Sequence, residues 1–372
     1  MKKIGIVSYN IHCNFTNYGS ALQSWALSTV INKIGNNKCE SILIDYCPDS
    51  LAKMNPLNPI ENMWDKDEES KKLCELNLPV IRENYYKFMH FYNEKFHKTR
   101  KTYTSKNFNS VINDEKINGF VCGSDTIFCI DEFGFDDGYY ANYECMKDGY
   151  TISYAASFGD CKFDNNSYLT LNKLLKNFKA ISLRENSMID YVSKNTAVEV
   201  KRVLDPTLLL DEKDYSVITA PKLENDKYLL LYSRRKNDKM SEFAEKIAKE
   251  KNLKVIEISL QINNKDKHRM LYEAGVEEFL SLVKHSEFIV TNSYHGMIFS
   301  VIFKKQFVIF SREQCNTKIC ELLDLFDLKD RLLVNGNEKY NQEINYNIVY
   351  DNIKNLKFKS IQYLKENLEK CR

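Results

Sequence analysis

A strand–helix–strand order, begun twice along the chain, constrains this sequence more than any other feature. Residues 4–9 form a short apolar run, followed by a polar loop that reaches Gly19. From Ser20 the apolar side chains of Leu22, Trp25, Ala26 and Val30 recur at helical spacing until Gly35, and residues 41–45 form a second strand around apolar Ile42, Leu43 and Ile44. That spacing predicts a helix between two strands. A strand, a crossover helix and a strand form the building unit of a parallel sheet.

Further strands are predicted at 120–122, 151–154, 180–183 and 198–204, and the polar, proline-bearing stretch 211–226 is predicted as a linker. The rhythm then restarts with strands at 228–232, 253–258, 288–290 and 307–310. Between them, Val276, Phe279, Leu280 and Val283 fall at i, i+3, i+4 and i+7, the mark of a helix packing one face. With 372 residues the chain exceeds what one core usually serves. The expected fold class is therefore α/β, with two doubly wound, Rossmann-like domains facing a cleft. The first spans 1–210 and forms the acceptor side, with a helical insertion at about 61–117. The second spans 227–335 and holds an anion or donor site, and 336–372 is a C-terminal helical segment.

Composition narrows the function classes. Lys and Arg total 53 against 51 Asp and Glu, which leaves no global electrostatic case for nucleic acid. No apolar run approaches the roughly 20 residues needed to span a bilayer. The N-terminal stretch has the charge of a signal peptide, but its apolar part stops at Ser8, so it is expected to be a strand. Eleven cysteines without a CxxC pair are expected to be reduced thiols of a cytoplasmic protein. The six histidines show no ligand spacing to them, and no metal is expected. GxGxxG after the first strand, GxxxxGK[ST] and GxSxG are all missing, which argues against dinucleotide, P-loop and nucleophile-elbow chemistry.

In open parallel sheets, ligands gather at the carboxyl ends of strands near helix N-termini. The densest such segment here is Thr291, Asn292, Ser293, Tyr294, His295 and Gly296, followed by a helix apolar nearly all round, expected at 297–303. A helix that deeply buried has buried N–H groups at its start, which an anion would satisfy. The plainer alternative is that Asn292 or Ser293 caps the helix and His295 fills space. Gly123, Ser124 and Asp125 form a second strand-end turn. Arg184 directly follows an apolar strand, where a cation needs a ligand or an ion-pair partner such as Asp205 or Glu185. Arg234, Arg235 and Lys236 follow another strand, with solvated surface as the default.

Taken together, these residues resemble the polysaccharide pyruvyl transferase family from Ile4 to about Arg331. The resemblance rests on ordered blocks: NYGSALQSWAL from Asn17, CGSD from Cys122, ISYAASFG from Ile152, ISLREN from Ile181 and VLDPTLLL from Val203. The most specific is EEFLSLVKHSEFIVTNSYHGMIFSVIF from Glu277. It implies a fold similar to GT-B glycosyltransferases. It also implies transfer of the pyruvyl skeleton of phosphoenolpyruvate onto two hydroxyls of a sugar, making a ketal and releasing phosphate. The co-substrate would be phosphoenolpyruvate and no further cofactor would be needed. The acceptor would be a sugar of a polysaccharide or of its lipid- or nucleotide-linked precursor.

Under that resemblance His295 would contact phosphate or donate a proton, and Arg184 would clamp the anion. Asn17, Tyr18 and Gly19 would form part of the active-site wall, with Tyr18 stacking on a sugar ring. Asp125, Asn292, Ser293, Gly296 and Lys318 complete the expected substrate-binding set. Two departures stand out. Ser293 occupies a position where some members carry arginine, which makes Lys318, Arg312, Arg234 and Arg235 candidates for the second cation. Thr126, Ile127 and Phe128 replace a more usual Gln and Trp. Two further readings are a sugar-nucleotide glycosyltransferase on the same plan and a non-catalytic scaffold in polysaccharide assembly. The aromatic residues Tyr85, Tyr86, Phe88, Phe91, Tyr92 and Phe96, interleaved with lysines, would suit either a packed helix face or peripheral contact with the inner membrane face.

Overall fold

The computed structural model describes residues 1–62, 67–235, 237–259, 268–312, 316–339 and 343–371. Apolar strands in the first half build one parallel sheet. β1 (Lys2–Val7) pairs with β2 (Cys39–Leu43) and β3 (Gly119–Cys122), and β3 pairs with β4 (Thr151–Ser153). β5 (Ile181–Leu183) pairs with β6 (Val200–Arg202), and single bridges join β4 and its following loop to β5. The spatial order is thus 2-1-3-4-5-6, with all pairings parallel.

The second half repeats the plan. β7 (Tyr228–Ser233), β8 (Lys254–Ser259), β9 (Arg269–Met270), β10 (Phe288–Thr291), β11 (Gln306–Phe310) and β12 (Leu332–Leu333) lie in the order 12-11-10-7-8-9, again parallel. All six residues of β7 are buried, as expected for a strand covered on both faces.

Each sheet has one point where the strand order reverses, between β1 and β3 in the first and between β7 and β10 in the second. Chain leaving neighbouring strands there departs in opposite directions and opens a crevice at the carboxyl ends. Two helices start at these points. Helix Tyr18–Gly35 is capped by Asn17, whose side chain accepts from the backbone of Gly19 and Ser20, and its C-cap is the left-handed Asn36. Helix Tyr294–Ile302 has no exposed or half-buried residue, so it is held by core on every side. Each fully buried Phe, Ile or Met there contributes about 1.5–3 kcal/mol relative to exposure.

Two sequence expectations are adjusted by the structure, and the choice between two readings of the insertion's aromatic stripe is decided by it. The helix expected at 297–303 begins at Tyr294, which places His295 in its first turn. The expected linker contains a capped helix, Glu212–Ser216, with Asp211 accepting from Asp214 N. In the insertion, Phe88, Phe91, Tyr92 and Phe96 are buried, and helix Leu78–Lys95 packs on helices Tyr18–Gly35 and Val276–His285. Most of the aromatic stripe is therefore a packed face, with Tyr86 exposed. No described helix is long and apolar enough to cross a membrane.

The last helix, Tyr346–Lys370, returns to the first half of the chain. Tyr363 Oη donates to Ser153 O at 2.9 Å, and Ser360 Oγ accepts from Leu204 N at 2.9 Å. The final segment thus buttresses the N-terminal sheet.

Candidate functional site

The two crevices open onto one cleft of about 430 Å³. The loop after β1 contributes Tyr9, Asn14, Phe15 and Asn17, and the turn after β3 contributes Asp125 and Thr126. From the other domain come Arg234 and Arg235 after β7, Ser293, Tyr294 and His295 after β10, and Arg312 after β11. Lys318, on helix Asn316–Phe326, completes the set. Charge is divided between the walls. The C-terminal wall carries Arg234, Arg235, Arg312 and Lys318 beside His295, and the N-terminal wall carries Asp125, Asp131, Glu132 and Asp160.

His295 is held from three sides. Its ring backs onto Gly19, where a Cβ would stand 2.6 Å from the imidazole Cγ. Its Nε2 lies 3.4 Å from Asp205 Oδ2, close enough for attraction but not aligned as a hydrogen bond, so this buried nitrogen has no hydrogen-bond partner among the described residues. Ser293 accepts from Gly296 N at 3.2 Å and caps the helix that presents the ring. Burial alone would push the Asp205 carboxyl up. The His295 and Arg184 charges and the Thr207 hydroxyl outweigh it and hold Asp205 far below the usual carboxylate range.

Asp125 is the next member. Its carboxylate accepts from Ser20 Oγ at 2.6 Å and from Thr126 N at 3.0 Å. Burial raises it, but the charges of His295, Arg184 and Lys318 bring it below its ordinary value, so it is an anion at neutral pH. Glu132 behaves oppositely. Surrounding protein pushes its carboxyl up and Asp125 adds to the push, against Lys318, Thr126 and Arg234. Its own surface remains open to the water of the cleft.

Several expected site residues do other work. Arg184 does not line this cleft. It is buried, with Nη1 donating to Asp205 Oδ2 at 2.8 Å and Nε to Glu185 Oε1 at 3.0 Å, and its guanidinium lies 4.5 Å from the Tyr294 ring centroid. The residue expected as an anion clamp thus stands in a buried ion pair beneath the site, with its Nη2 left without a hydrogen-bond partner among the described residues. Tyr18 cannot stack on a sugar. It is 2% exposed, its ring lies parallel to Phe279 at 4.6 Å, and its hydroxyl donates to Ala274 O at 2.6 Å. It is an apolar tie between the domains.

Gly19 serves as space for His295, and Gly296 lets its helix approach Thr291 and Tyr232. Asn292 does not line the cleft. Its side chain accepts from Arg234 N at 2.7 Å and donates to Arg235 O at 2.7 Å, fixing the loop that bears both arginines. Asn17, Asp125, Ser293, His295 and Lys318 do line the cleft. Lys236, named beside Arg234 and Arg235, lies outside the described residues.

Sequence reasoning passed over Tyr9, Asp131, Glu132 and Asp160. The strand-end rule could have found Asp160, which closely follows β4. The acidic pair Asp131 and Glu132 lies just beyond the block that departs from the family pattern.

A family model described as polysaccharide pyruvyl transferase matches residues 17–314, well over half of the chain. No curated protein matches the chain by sequence. Among solved structures, UDP-GlcNAc 2-epimerase from Methanocaldococcus jannaschii aligns with a TM-score of 0.52 at 11% identity, covering 95% of this chain and 92% of that one. UDP-N-acetylglucosamine 2-epimerase from Rickettsia bellii aligns at 0.50 with 12% identity, covering 98% of each. An S. aureus MnaA–UDP co-structure aligns at 0.50 with 13% identity, covering 100% of this chain and 91% of that one. At these identities the likeness concerns the fold, which is GT-B-like.

Proposed function

The chain belongs to the polysaccharide pyruvyl transferase family, and from that premise we propose that it transfers the pyruvyl group of phosphoenolpyruvate to two hydroxyls of a sugar. The acceptor would be part of a cell-surface polysaccharide or of its lipid- or nucleotide-linked precursor. One observation carries the reading: four cationic side chains and His295 share one wall of a cleft whose other wall is acidic. A small donor bearing a phosphate and a carboxylate matches the first wall, and a polyhydroxyl acceptor matches the second, where carboxylates accept from hydroxyls.

In this reading His295 and Lys318 contact the phosphate, with Arg234, Arg235 and Arg312 shared between phosphate and carboxylate. Asp205 and Gly19 position the imidazole. The cations stabilise charge that accumulates on the departing phosphate, while protonation of the methylene carbon gives the central carbon the oxocarbenium character that a sugar hydroxyl attacks. The residues present call for no metal to bind the donor. We place the reaction in the cytoplasm, where the donor is made, with any membrane contact peripheral.

The GT-B-like fold keeps a sugar-nucleotide glycosyltransferase in view, since a diphosphate would also suit the cationic wall. Thermal shift and phosphate release with phosphoenolpyruvate, run beside a panel of sugar nucleotides, separate the two. Stabilisation by phosphoenolpyruvate, with phosphate release once an acceptor is present, supports pyruvyl transfer. Stabilisation by a sugar nucleotide alone sinks it.

A further inference from the structure

We propose that Glu132 is a catalytic residue of this cleft, the carboxyl that passes a proton to the methylene carbon of the donor and recovers one from the acceptor hydroxyl. The inference rests on reading the cleft as a pyruvyl transfer site.

Placement is the first argument. Glu132 lies on the short helix Ile130–Phe133, on the wall opposite the cations. The adjacent Phe133 anchors that helix, with its ring 5.0 Å from Tyr9 and 5.2 Å from Tyr139. Thr126 Oγ1 donates to Glu132 Oε2 at 2.8 Å, which orients the carboxyl and leaves its second oxygen to the cleft.

Contrast with its neighbours is the second. Asp125 is fixed by Ser20 and Thr126 and held ionised by His295, Arg184 and Lys318, so it accepts hydrogen bonds but is a poor proton donor. Asp160 Oδ2 already accepts from Asn316 N at 3.1 Å. Glu132 is the cleft carboxyl whose protein surroundings raise its proton affinity above the ordinary value, with Lys318, Thr126 and Arg234 opposing and Asp125 reinforcing. Tyr9 and Cys129 also stand within reach of its charge. Two adjacent carboxyls with affinities pushed apart are the usual signature of divided acid and anion roles.

The proton balance closes through one group. Protonated Glu132 gives its proton to the methylene carbon, which becomes the methyl group. The first sugar hydroxyl attacks the central carbon, and its proton restores Glu132. The bond from that carbon to the phosphate oxygen then breaks, the second hydroxyl closes the ketal, and its proton leaves with phosphate. No oxidant or reductant is involved.

The test compares wild type, Glu132→Gln and Glu132→Asp across a pH series. Phosphoenolpyruvate binding is followed by thermal shift, and phosphate release is followed with phosphoenolpyruvate plus a panel of UDP-linked hexosamines and methyl glycosides. The expected result is retained binding in both variants, with turnover lowered about 10²- to 10⁴-fold in Glu132→Gln and less in Glu132→Asp. Binding decides the matter even if no acceptor in the panel is used. Ionised Glu132 repels the donor, so wild-type affinity falls with rising pH more steeply than that of Glu132→Gln, while every other cleft group titrates in both. Unchanged turnover, or identical pH slopes of binding, overturns the role of Glu132. A wild-type protein indifferent to phosphoenolpyruvate at every pH overturns the pyruvyl reading itself, which is a separate failure.

Discussion

Gly19 and His295 occupy adjoining space with no room between them for a methyl group, since a Cβ on Gly19 would stand 2.6 Å from Cγ of the imidazole. One residue starts a helix of the N-terminal half and the other starts a helix of the C-terminal half. The relative placement of the domains is thus coupled to the orientation of the one histidine in the cleft. Gly19→Ala should displace the ring and cost about 1–3 kcal/mol through overpacking. We expect a lower Tm together with a loss of phosphoenolpyruvate stabilisation. A variant that loses Tm yet keeps full ligand response would show that ring and glycine are not coupled to binding.

His295→Asn should leave the fold intact and lower turnover about 10²-fold or more, the usual cost of removing a preorganised charge-stabilising contact. Steady-state kinetics beside circular dichroism check this, and near-normal kcat/KM would remove His295 from the chemistry.

Arg184 makes a different prediction. Arg184→Met leaves Asp205 and Glu185 buried without their cation, and breaking such a pair typically costs about 3–5 kcal/mol. Denaturant unfolding should show that loss, while the KM for phosphoenolpyruvate of the folded fraction changes little. A large KM increase with unchanged stability would restore Arg184 as an anion clamp.

The cationic wall predicts salt dependence. Lys318→Met, Arg234→Met and Arg312→Met should each weaken phosphoenolpyruvate binding, and each should flatten its dependence on ionic strength because one screened attraction is gone. Titration calorimetry at several salt concentrations measures both effects. Variants that bind as wild type would place the donor elsewhere.

His12 supplies a pH prediction outside the chemistry. Burial would push its imidazole down, but the hydrogen bond to Asp45 and the charge of that carboxylate, with the Cys47 sulfur beside it, outweigh burial and bring it up to about 9. Its Nε2 lies 2.6 Å from Asp45 Oδ1. A raised folded-state value means the stabilisation is complete below the unfolded value near ~6.5 and disappears as pH rises through about 9. Stability should therefore fall by about 1–3 kcal/mol between neutral and alkaline pH, and His12→Gln should abolish that component. Equal alkaline losses in both proteins would exclude the pair as its source.

Much of the fold is legible in residue pattern, because apolar runs and helical spacing report which faces must leave water. The apolar character of Met297, Ile298, Phe299, Val301 and Ile302 by itself demands a buried helix, and a polar strand end before it demands a site near His295. The cationic candidates Arg234, Arg312 and Lys318 were also nameable from the chain. Arg184 was not separable into clamp or ion pair, since both need a cation after an apolar strand. Tyr18 was ambiguous for a similar reason: an aromatic at a helix start serves a sugar or a core equally well until its neighbours are known.

For His295, the sequence determined that a histidine follows a buried strand and opens a buried helix, because local periodicity is a property of the chain alone. Only the tertiary structure decided that Gly19 backs its ring, that Asp205 faces its Nε2 and that Arg184 lies beneath. Those partners are separated from it by tens to hundreds of residues, and strand order at the two reversal points brings them together. Strand order is set by which sheet edges and crossovers pack best across the whole molecule, an energy summed over contacts that no local stretch of sequence contains.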